Sequence, residues 1–599
     1  MPLMCAVFGI LGEYEPSAAK RALATLEHRG PDACGIVEQP GLFFAHNRLA
    51  IRDLHERAHQ PLRRGEVMLS FNGEIYNYRE IAETLGLVHT TEAETVLEAY
   101  LAWGTDCVRR FRGMFAMAVC DGGTLYLLRD RLGKKPLFFA RQRRCFVFAS
   151  EIKAVVPFLP RIRMNDDAMM SYLSFLAPVA PHTFYEGIEK LGPGEMLTVT
   201  NGTVSRTRYY DLLDAEPVDD AAAPGRIEAL LHESIRLRLD ADVPMAALLS
   251  GGIDSALINA FAARLGKPLP TFTLGYEGHA NYDESGNAAE TASLLGLKNT
   301  RITIAQNDFI DAIDPVMEAM DEPLYDPAAV PLYLLFGAIK KEGYRVVLSG
   351  EGGDELFLGY RQYFDYLDIE QLSKLQRKAW LKKFFHGHYS VNREWEWYKR
   401  AFDGTLLFRG AGEKFTDLQK NSLMRRNVRD EDGLRFLLPE RERFERSRWE
   451  DPAHWYSYLD LRQLQAEYYL AKLDRVSMAH GIESRTPMLD HKLAEAAFGA
   501  SAALKIGDGR PKSLLKQIAR PYLGETILQR RKKGFSSPYI EYLDAAGKLG
   551  LITDVNAQTG LFKPEMLERY IDAAAKRGRF KQQVWSLYIL SCWMKKHLL

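Results

Sequence analysis

Residues 244–255 read PMAALLSGGIDS, and the fold of the larger part of the chain turns on that run. Pro244 to Leu249 is an apolar stretch of strand length, Ser250, Gly251 and Gly252 break it, and SALINAFAARLG (255–266) has the apolar spacing of a helix. Two glycines let backbone N–H groups approach an anion, the helix that follows offers unpaired donors at its positive end, and Ser250 and Ser255 add hydroxyls. That is a phosphate cradle. No lysine stands where a GxxxxGK[ST] loop needs one, so γ-phosphate transfer of that kind is not expected. Asp254 would repel a phosphate unless a magnesium ion lay between them. Read alone, the run is equally an ordinary strand-to-helix turn capped by Ser or Asp.

A second loop tips that balance. Residues 346–360, VVLSGEGGDELFLGY, again end an apolar strand on Ser349, Gly350, Glu351, Gly352, Gly353, Asp354 and Glu355. Two such loops can face one crevice at the carboxyl ends of a parallel sheet, where ligands bind in such folds. Around them strand and helix patterns alternate, PTFTLGY before ESGNAAETASLLG for example, which predicts a doubly wound α/β sheet. From about residue 360 the strands give way to helical segments rich in Tyr, Trp, Arg and Leu, a helical C-terminal extension.

Toward the amino end, residues 211–226 (DLLDAEPVDDAAAPGR) lack apolar periodicity and read as a linker. Before them, short apolar runs such as CAVFGIL, EVMLSFNGEIYN and MFAMAVCD are separated by turn residues and a few helical stretches, which predicts an α+β domain of large sheet content. The expected division is a first domain over 1–210, a linker over 211–226 and a second domain over 227–599.

A chain of 599 residues is too long for one core. Lys plus Arg and Asp plus Glu number 78 each, so no net field draws the protein to nucleic acid or to a membrane surface. The six cysteines, at 5, 34, 107, 120, 145 and 592, form no CxxC pair and no zinc spacing, which fits a reducing compartment. Neither a signal-like start nor a run of about 18 apolar residues occurs. The expectation is a cytoplasmic protein with small-molecule partners; a homodimer is compatible with the chain.

With both loops on the page, the chain resembles the glutamine-dependent asparagine synthetase family, whose ATP-pyrophosphatase domain carries SGGxDS and SGxGxDE. DEPLYDPAAVP (321–331), KLDRVSMAHGIESRTPMLDH (472–491), GRPKSLLKQIA (509–519) and RRKKGFSSP (530–538) follow in family order. The resemblance implies an α/β ATP-pyrophosphatase domain, like the adenine nucleotide alpha-hydrolases, that uses ATP and Mg2+. ATP is then split between its α and β phosphates, and a substrate carboxylate becomes an acyl adenylate that ammonia attacks. By the same resemblance Leu249, Leu274, Ser349 and Gly350 hold the nucleotide. Ser250, Gly252, Asp254, Ser255 and Asp354 hold pyrophosphate and magnesium, with Asp254 and Asp354 as the metal carboxylates. Glu351 takes a proton from the attacking ammonium. Lys532 supports the charge leaving with pyrophosphate, with Lys533 the competing register. An isolated RRKK run is also an ordinary solvated surface.

The first domain is similar to N-terminal nucleophile (Ntn) hydrolase sandwiches of the glutaminase type, whose mature chain begins with cysteine. A free α-amine titrates near about 8 and can accept the thiol proton. Cys5 must then be the first residue, so the stretch MPLM is expected to be absent from the active enzyme, through a start at Met4 or through cleavage. A lone cysteine on a first strand is more commonly just a packed core residue. The resemblance further implies that Arg48 binds the glutamine carboxylate with its planar fork of donors. Asn72 and Gly73 stabilise the oxyanion, and Glu74 and Glu92 hold the glutamine amine. Taken separately, Asn72-Gly73 reads as a hairpin turn and Arg48 as a surface residue. Two positions depart from the family pattern. Ala6 stands where Gly is usual and brings a methyl group close to the nucleophile, and Glu92 stands where Asp is usual.

The expected activity is therefore glutamine-hydrolysing asparagine synthesis from aspartate. The alternative is a relative that amidates another carboxylate, such as a sugar acid of a surface polysaccharide. A scaffold protein without activity would not need Cys5, Asp254, Glu351, Asp354 and Lys532 all intact.

Overall fold

The computed structural model describes residues 5–30, 32–324, 326–375, 379–388, 390–405, 407–429, 431–507, 509–530 and 537–599. In the first domain, β1 (Ala6–Gly12), β3 (Leu42–Arg48), β2 (Ala33–Gln39), β9 (Cys145–Ala149), β8 (Phe138–Arg141) and β10 (Glu189–Lys190) form one six-stranded sheet in the order β10-β8-β9-β1-β3-β2. A second six-stranded sheet runs β12-β11-β7-β6-β5-β4, from β12 (Thr203–Arg208), β11 (Glu195–Thr200), β7 (Thr124–Arg129), β6 (Gly113–Asp121), β5 (Val67–Ile75) and β4 (Leu62–Arg64). Both sheets are antiparallel.

Alternation along the strands builds the layers. Val7 on β1 enters the core between the sheets with Phe44, Met68, Ala118, Leu127 and Phe148. Its neighbours Ala6, Phe8 and Ile10 pack on the opposite side against Ala19, Ala22 and Leu23 of the helix Pro16–Ala24. On the outer face of the second sheet, Leu69, Phe71 and Ile75 meet Val96, Leu97 and Tyr100 of the helix Glu92–Trp103. The result is the expected helix–sheet–sheet–helix sandwich of an Ntn hydrolase.

The second domain is built on a parallel sheet of β13 (Met245–Leu248), β14 (Thr271–Tyr276), β15 (Asn299–Ile304), β16 (Val346–Leu348) and β17 (Glu483–Arg485), ordered β15-β14-β13-β16-β17. The chain winds outward from β13 through β14 to β15 and then returns to the other side of β13 as β16, so the strand order reverses between β13 and β16. That reversal opens a crevice at the carboxyl ends of those two strands, and both glycine-rich loops leave there. The helical extension that follows ends in the helix Lys581–His597, which buries Trp585 and Trp593.

The two domains meet through buried charge. Arg29, fully buried, lies 2.8 Å from Glu151 of its own domain and 2.8 Å from Asp474 of the other. Arg475 reaches back to Glu151 at 2.9 Å, Lys190 pairs with Glu467 at 2.9 Å, and Arg112 pairs with Asp490 at 2.9 Å. Removing one member of such a cluster leaves a buried charge uncompensated, at about 3–5 kcal/mol, so these pairs specify one docking geometry. The run 472–491 therefore supplies much of the domain interface through Asp474, Arg475 and Asp490.

Candidate active site

The first site lies at the end of the sandwich that faces the second domain. Period-two alternation puts Ser70, Asn72 and Glu74 of β5 on the face toward the other sheet, and Ser70 Oγ donates to the Ala45 carbonyl across the gap at 3.5 Å. Asn72 is 1% exposed, and both polar atoms of its amide are buried without a hydrogen-bond partner among the described residues. An orphaned buried amide is uncommon and calls for a ligand or water. Gly73 has φ +150°, and a Cβ there would stand 2.0 Å from the Met114 carbonyl oxygen, so only glycine fits.

Cys5 precedes β1 and is partly buried. Its thiol lies 3.8 Å from the Leu49 carbonyl oxygen, and its own carbonyl accepts from Arg29 Nε at 3.3 Å. It packs against Leu49, Ile51, Val346 and Met478. Burial pushes the thiol up to about 12, so it is protonated at neutral pH and needs an adjacent base to become a nucleophile.

Arg48, 5% exposed, donates to the carbonyls of His55 at 3.0 Å, Arg52 at 3.4 Å and Asp53, and so pins the loop that follows β3. Glu74 is buried and ion-paired with Arg52 at 2.8 Å and Arg485 at 3.4 Å. Burial, reinforced by Glu483, raises its carboxyl to about 7. Glu92 opens the helix Glu92–Trp103 and accepts the Ile75 N–H; burial and then Glu74 raise its carboxyl. Two carboxylates thus share one arginine, Arg52, which also reaches Asp240 of the second domain at 3.1 Å.

Arg52, Glu483 and Arg485 were not expected here. The only sign of the last two is the GIESR segment within the family-like run, and nothing local in it says that it reaches a pocket in the other domain.

The second site is the crevice between β13 and β16. Leu249 is buried and its carbonyl accepts from Thr273 Oγ1 at 2.7 Å, Leu274 lies buried on β14, and Ser349 N–H donates to the Arg485 carbonyl at 2.9 Å. Gly251 takes φ +75°, where a Cβ would stand 2.8 Å from Asn287 Cβ. The helix Ile253–Arg264 then begins with its amino end toward the loop. Ser250 and Ser255 hydroxyls lie 3.1 Å apart, and Ser255 Oγ donates to the Gly252 carbonyl at 3.2 Å.

The loops touch each other. A Cβ on Gly350 would be 3.1 Å from Ser255 N, and one on Gly353 would be 2.4 Å from Asp254 Oδ1. Asp254 and Asp354 therefore flank one point, and that point holds the ammonium of Lys512, at 2.5 Å and 2.9 Å respectively. A pair of carboxylates already gathered around a cation fits a divalent metal completed by phosphate oxygens. Glu351 lies on the same loop, within electrostatic reach of Glu355 and of Lys472, which pairs with Asp326 at 2.7 Å. Burial and then Asp354 raise Glu355 to about 8. Lys532 and Lys533 lie outside the described residues.

Comparison with known proteins agrees with this layout. Residues 226–595 match the family model of asparagine synthase, and residues 4–210 that of a glutamine amidotransferase domain. The chain is 28% identical to asparagine synthetase (glutamine-hydrolyzing) 1 of Bacillus subtilis, over 98% of this chain and 96% of that protein. It is 29% identical to asparagine synthetase (glutamine-hydrolyzing) 3 of the same organism, over 88% and 84%. It is also 26% identical to amidase chyE of Penicillium rubens, over 87% and 84%. A family model over most of its length and relatives that span nearly all of it show that the chain belongs to the asparagine synthase family.

Proposed function

We propose that the protein makes an amide from a carboxylic acid, taking nitrogen from glutamine and energy from ATP, with aspartate as acceptor and asparagine, glutamate, AMP and pyrophosphate as products. At the first site the Cys5 α-amine, freed by loss of residues 1–4, takes the thiol proton. The sulfur then attacks the glutamine amide carbon. Asn72 and the Gly73 N–H receive the oxyanion, and Glu74 and Glu92 hold the substrate ammonium, while Arg48 is assigned to its carboxylate. Ammonia leaves, and water later releases glutamate from the thioester.

At the second site Leu249, Leu274, Ser349 and Gly350 orient the nucleotide, and Ser250, Gly252 and Ser255 cradle its phosphates. Asp254 and Asp354 would hold magnesium, whose charge would offset that of the triphosphate. Glu351 is assigned to take the proton that ammonia sheds on attacking the acyl adenylate. Lys532 is assigned to the leaving pyrophosphate.

One observation carries this reading: a single short strand links the two sites. Cys5 packs against an apolar cluster that includes Val346, the first residue of β16, and the loop that leaves the other end of β16 carries Ser349, Gly350 and Glu351. The strand from Val346 to Leu348 covers about 7 Å at about 3.3 Å per residue, and the loop turns at Glu351. Leu49, Ile51, Val346 and Met478 form the apolar side of the surroundings of Cys5, and Arg48, Glu483 and Glu74 act on it from the charged side. A separate pocket lined in part by Phe138, Pro178, Met320 and Glu467 includes none of the residues assigned to either site.

AMP formation measured with glutamine, ATP and a panel of carboxylates tests the proposal. Aspartate-dependent AMP supports it, and AMP that appears only with another acid moves the acceptor while leaving the chemistry. The similarity to a protein named an amidase keeps that second reading in view.

A further inference from the structure

Lys512 belongs to the GRPKSLLKQIA run but has no role in the mechanism above. It heads the helix Ser513–Ala519 with φ +59°, in the left-handed region that residues other than glycine seldom enter. Its side chain is buried, and its ammonium bridges Asp254 Oδ2 at 2.5 Å and Asp354 Oδ1 at 2.9 Å. The two carboxylates come from different loops, after β13 and after β16. Gly359 makes room for the arrangement, since a Cβ there would stand 2.0 Å from Asp354 Oδ1 and 2.4 Å from Lys512 Cε. A strained backbone residue, a glycine clearing its path and two converging carboxylates together describe a cation point filled by a cation of the protein's own.

Resting on the reading that these carboxylates hold the metal of the nucleotide, we propose that Lys512 is a resident stand-in for that ion. It keeps Asp254 and Asp354 together before nucleotide arrives and excludes a divalent ion that comes alone. The electrostatics give the order. A lone divalent cation would have to enter beside a buried ammonium and leave it without a partner, which is costly at this depth. A metal–triphosphate brings oxygens that accept the displaced ammonium in charge-assisted hydrogen bonds. Metal therefore enters with nucleotide, and Lys512 turns from the aspartates to the phosphates.

The test is Mn2+ binding to the full-length protein, followed by electron paramagnetic resonance with and without α,β-methylene ATP. Wild type should take up Mn2+ tightly only with the analogue. Lys512→Met, which leaves the carboxylates facing each other, should bind nucleotide-free Mn2+ about tenfold or more tightly than wild type. Its thermal midpoint, lowered in chelator, should recover when Mn2+ is added. Lys512→Arg keeps the charge and should behave as wild type. The proposal is overturned by equal nucleotide-free affinity in Lys512→Met and wild type. It is equally overturned if wild type binds Mn2+ as well without the analogue as with it, a measurement that stands even if the methionine variant does not fold. Wild type that takes up no Mn2+ even with the analogue removes the metal role of both aspartates, and this proposal with it. That outcome is distinct, because the two earlier ones leave the metal site intact.

Discussion

The pocket at Cys5 and the crevice at the glycine-rich loops solve opposite problems. Strands build the first: Cys5 runs into β1, and Asn72 and Glu74 occupy alternate positions of β5, so their directions are set by the pleat. The Asn72 amide, proposed to receive the oxyanion, is buried with no hydrogen-bond partner among the described residues. Loops build the second, and its aspartates are neutralised from within by Lys512. A site awaiting a charge that appears only in the transition state can keep an open amide, because the orphaned group is neutral. At a site awaiting a highly charged substrate, two partly exposed carboxylates share one internal ammonium.

The largest expected effect tests the first half of that contrast. Cys5→Ala should lower glutamine-dependent synthesis by about a thousandfold or more while ammonia-dependent synthesis persists, since the loop site has its own machinery. Intact mass of the active protein should show Cys5 at the amino terminus. An active enzyme that keeps Met4 in peptide linkage would remove the proposed base.

Asn72→Ala comes next, at about 10²–10³-fold in the rate of glutamine hydrolysis, with ammonia-dependent synthesis unchanged. Stability separates this role from a structural one. Because the amide makes no hydrogen bond among the described residues, its removal should shift unfolding free energy by only about 1 kcal/mol. A large loss of stability with little loss of rate would mean that Asn72 is part of the core and that the pocket is not preorganised.

Neither site was fully legible in the sequence. Residue pattern alone made Asn72-Gly73 a hairpin turn, and only the family resemblance gave it a role; the structure puts both residues inside β5, where Asn72 and Glu74 share one face. Both phosphate loops announced themselves through glycine and serine at strand ends. Pairings between distant segments stayed hidden: Arg485 with Glu74, Arg52 with Asp240, and Lys512 with two aspartates. Local periodicity reports which face a residue occupies, and it carries no information about which distant charge will be brought against that face. Arg48 is a case in between. Its position near the pocket was expected, but its hold on the carbonyls of residues 52, 53 and 55 depends on a loop path that no pattern reveals.

The pH profile sharpens the comparison by a smaller margin. Burial raises Glu74 from its ordinary 4.5 to about 7, and the ammonium of glutamine needs it ionised. kcat/KM for glutamine, which reports the free enzyme, should therefore climb as pH rises through about 7. Glu74→Gln should lower it about 10–100-fold and erase that limb, leaving the later rise near about 8 that belongs to the α-amine. The stability effect has the matching sign. The folded state holds the Glu74 proton more tightly than the unfolded chain does, so its contribution is present below about 4.5 and is lost as pH rises toward 7. The glutamine variant should lack that slope. Ammonia-dependent synthesis should show neither change, because Glu74 is assigned to the glutamine half-reaction alone.

The smallest effect concerns Ala6, where the extra methyl was expected to lie close to the nucleophile. Alternation on β1 decides where it goes. Val7 points between the sheets, so Ala6 points away from the pocket, and it is fully buried in the cluster that includes Ala19, Ala22 and Leu23. The methyl group is thus part of the buried core on the side of β1 away from the pocket. Ala6→Gly should leave KM for glutamine within about twofold, since the pocket loses no contact, and should cost about 1–2 kcal/mol in unfolding free energy from a lost buried methyl and a more flexible strand. A fall in KM without loss of stability would place the methyl against the substrate after all. It would also mean that β1 enters the pocket one residue out of the register that pairs Ala6 with Asn47, which would move Cys5 to the wrong face as well.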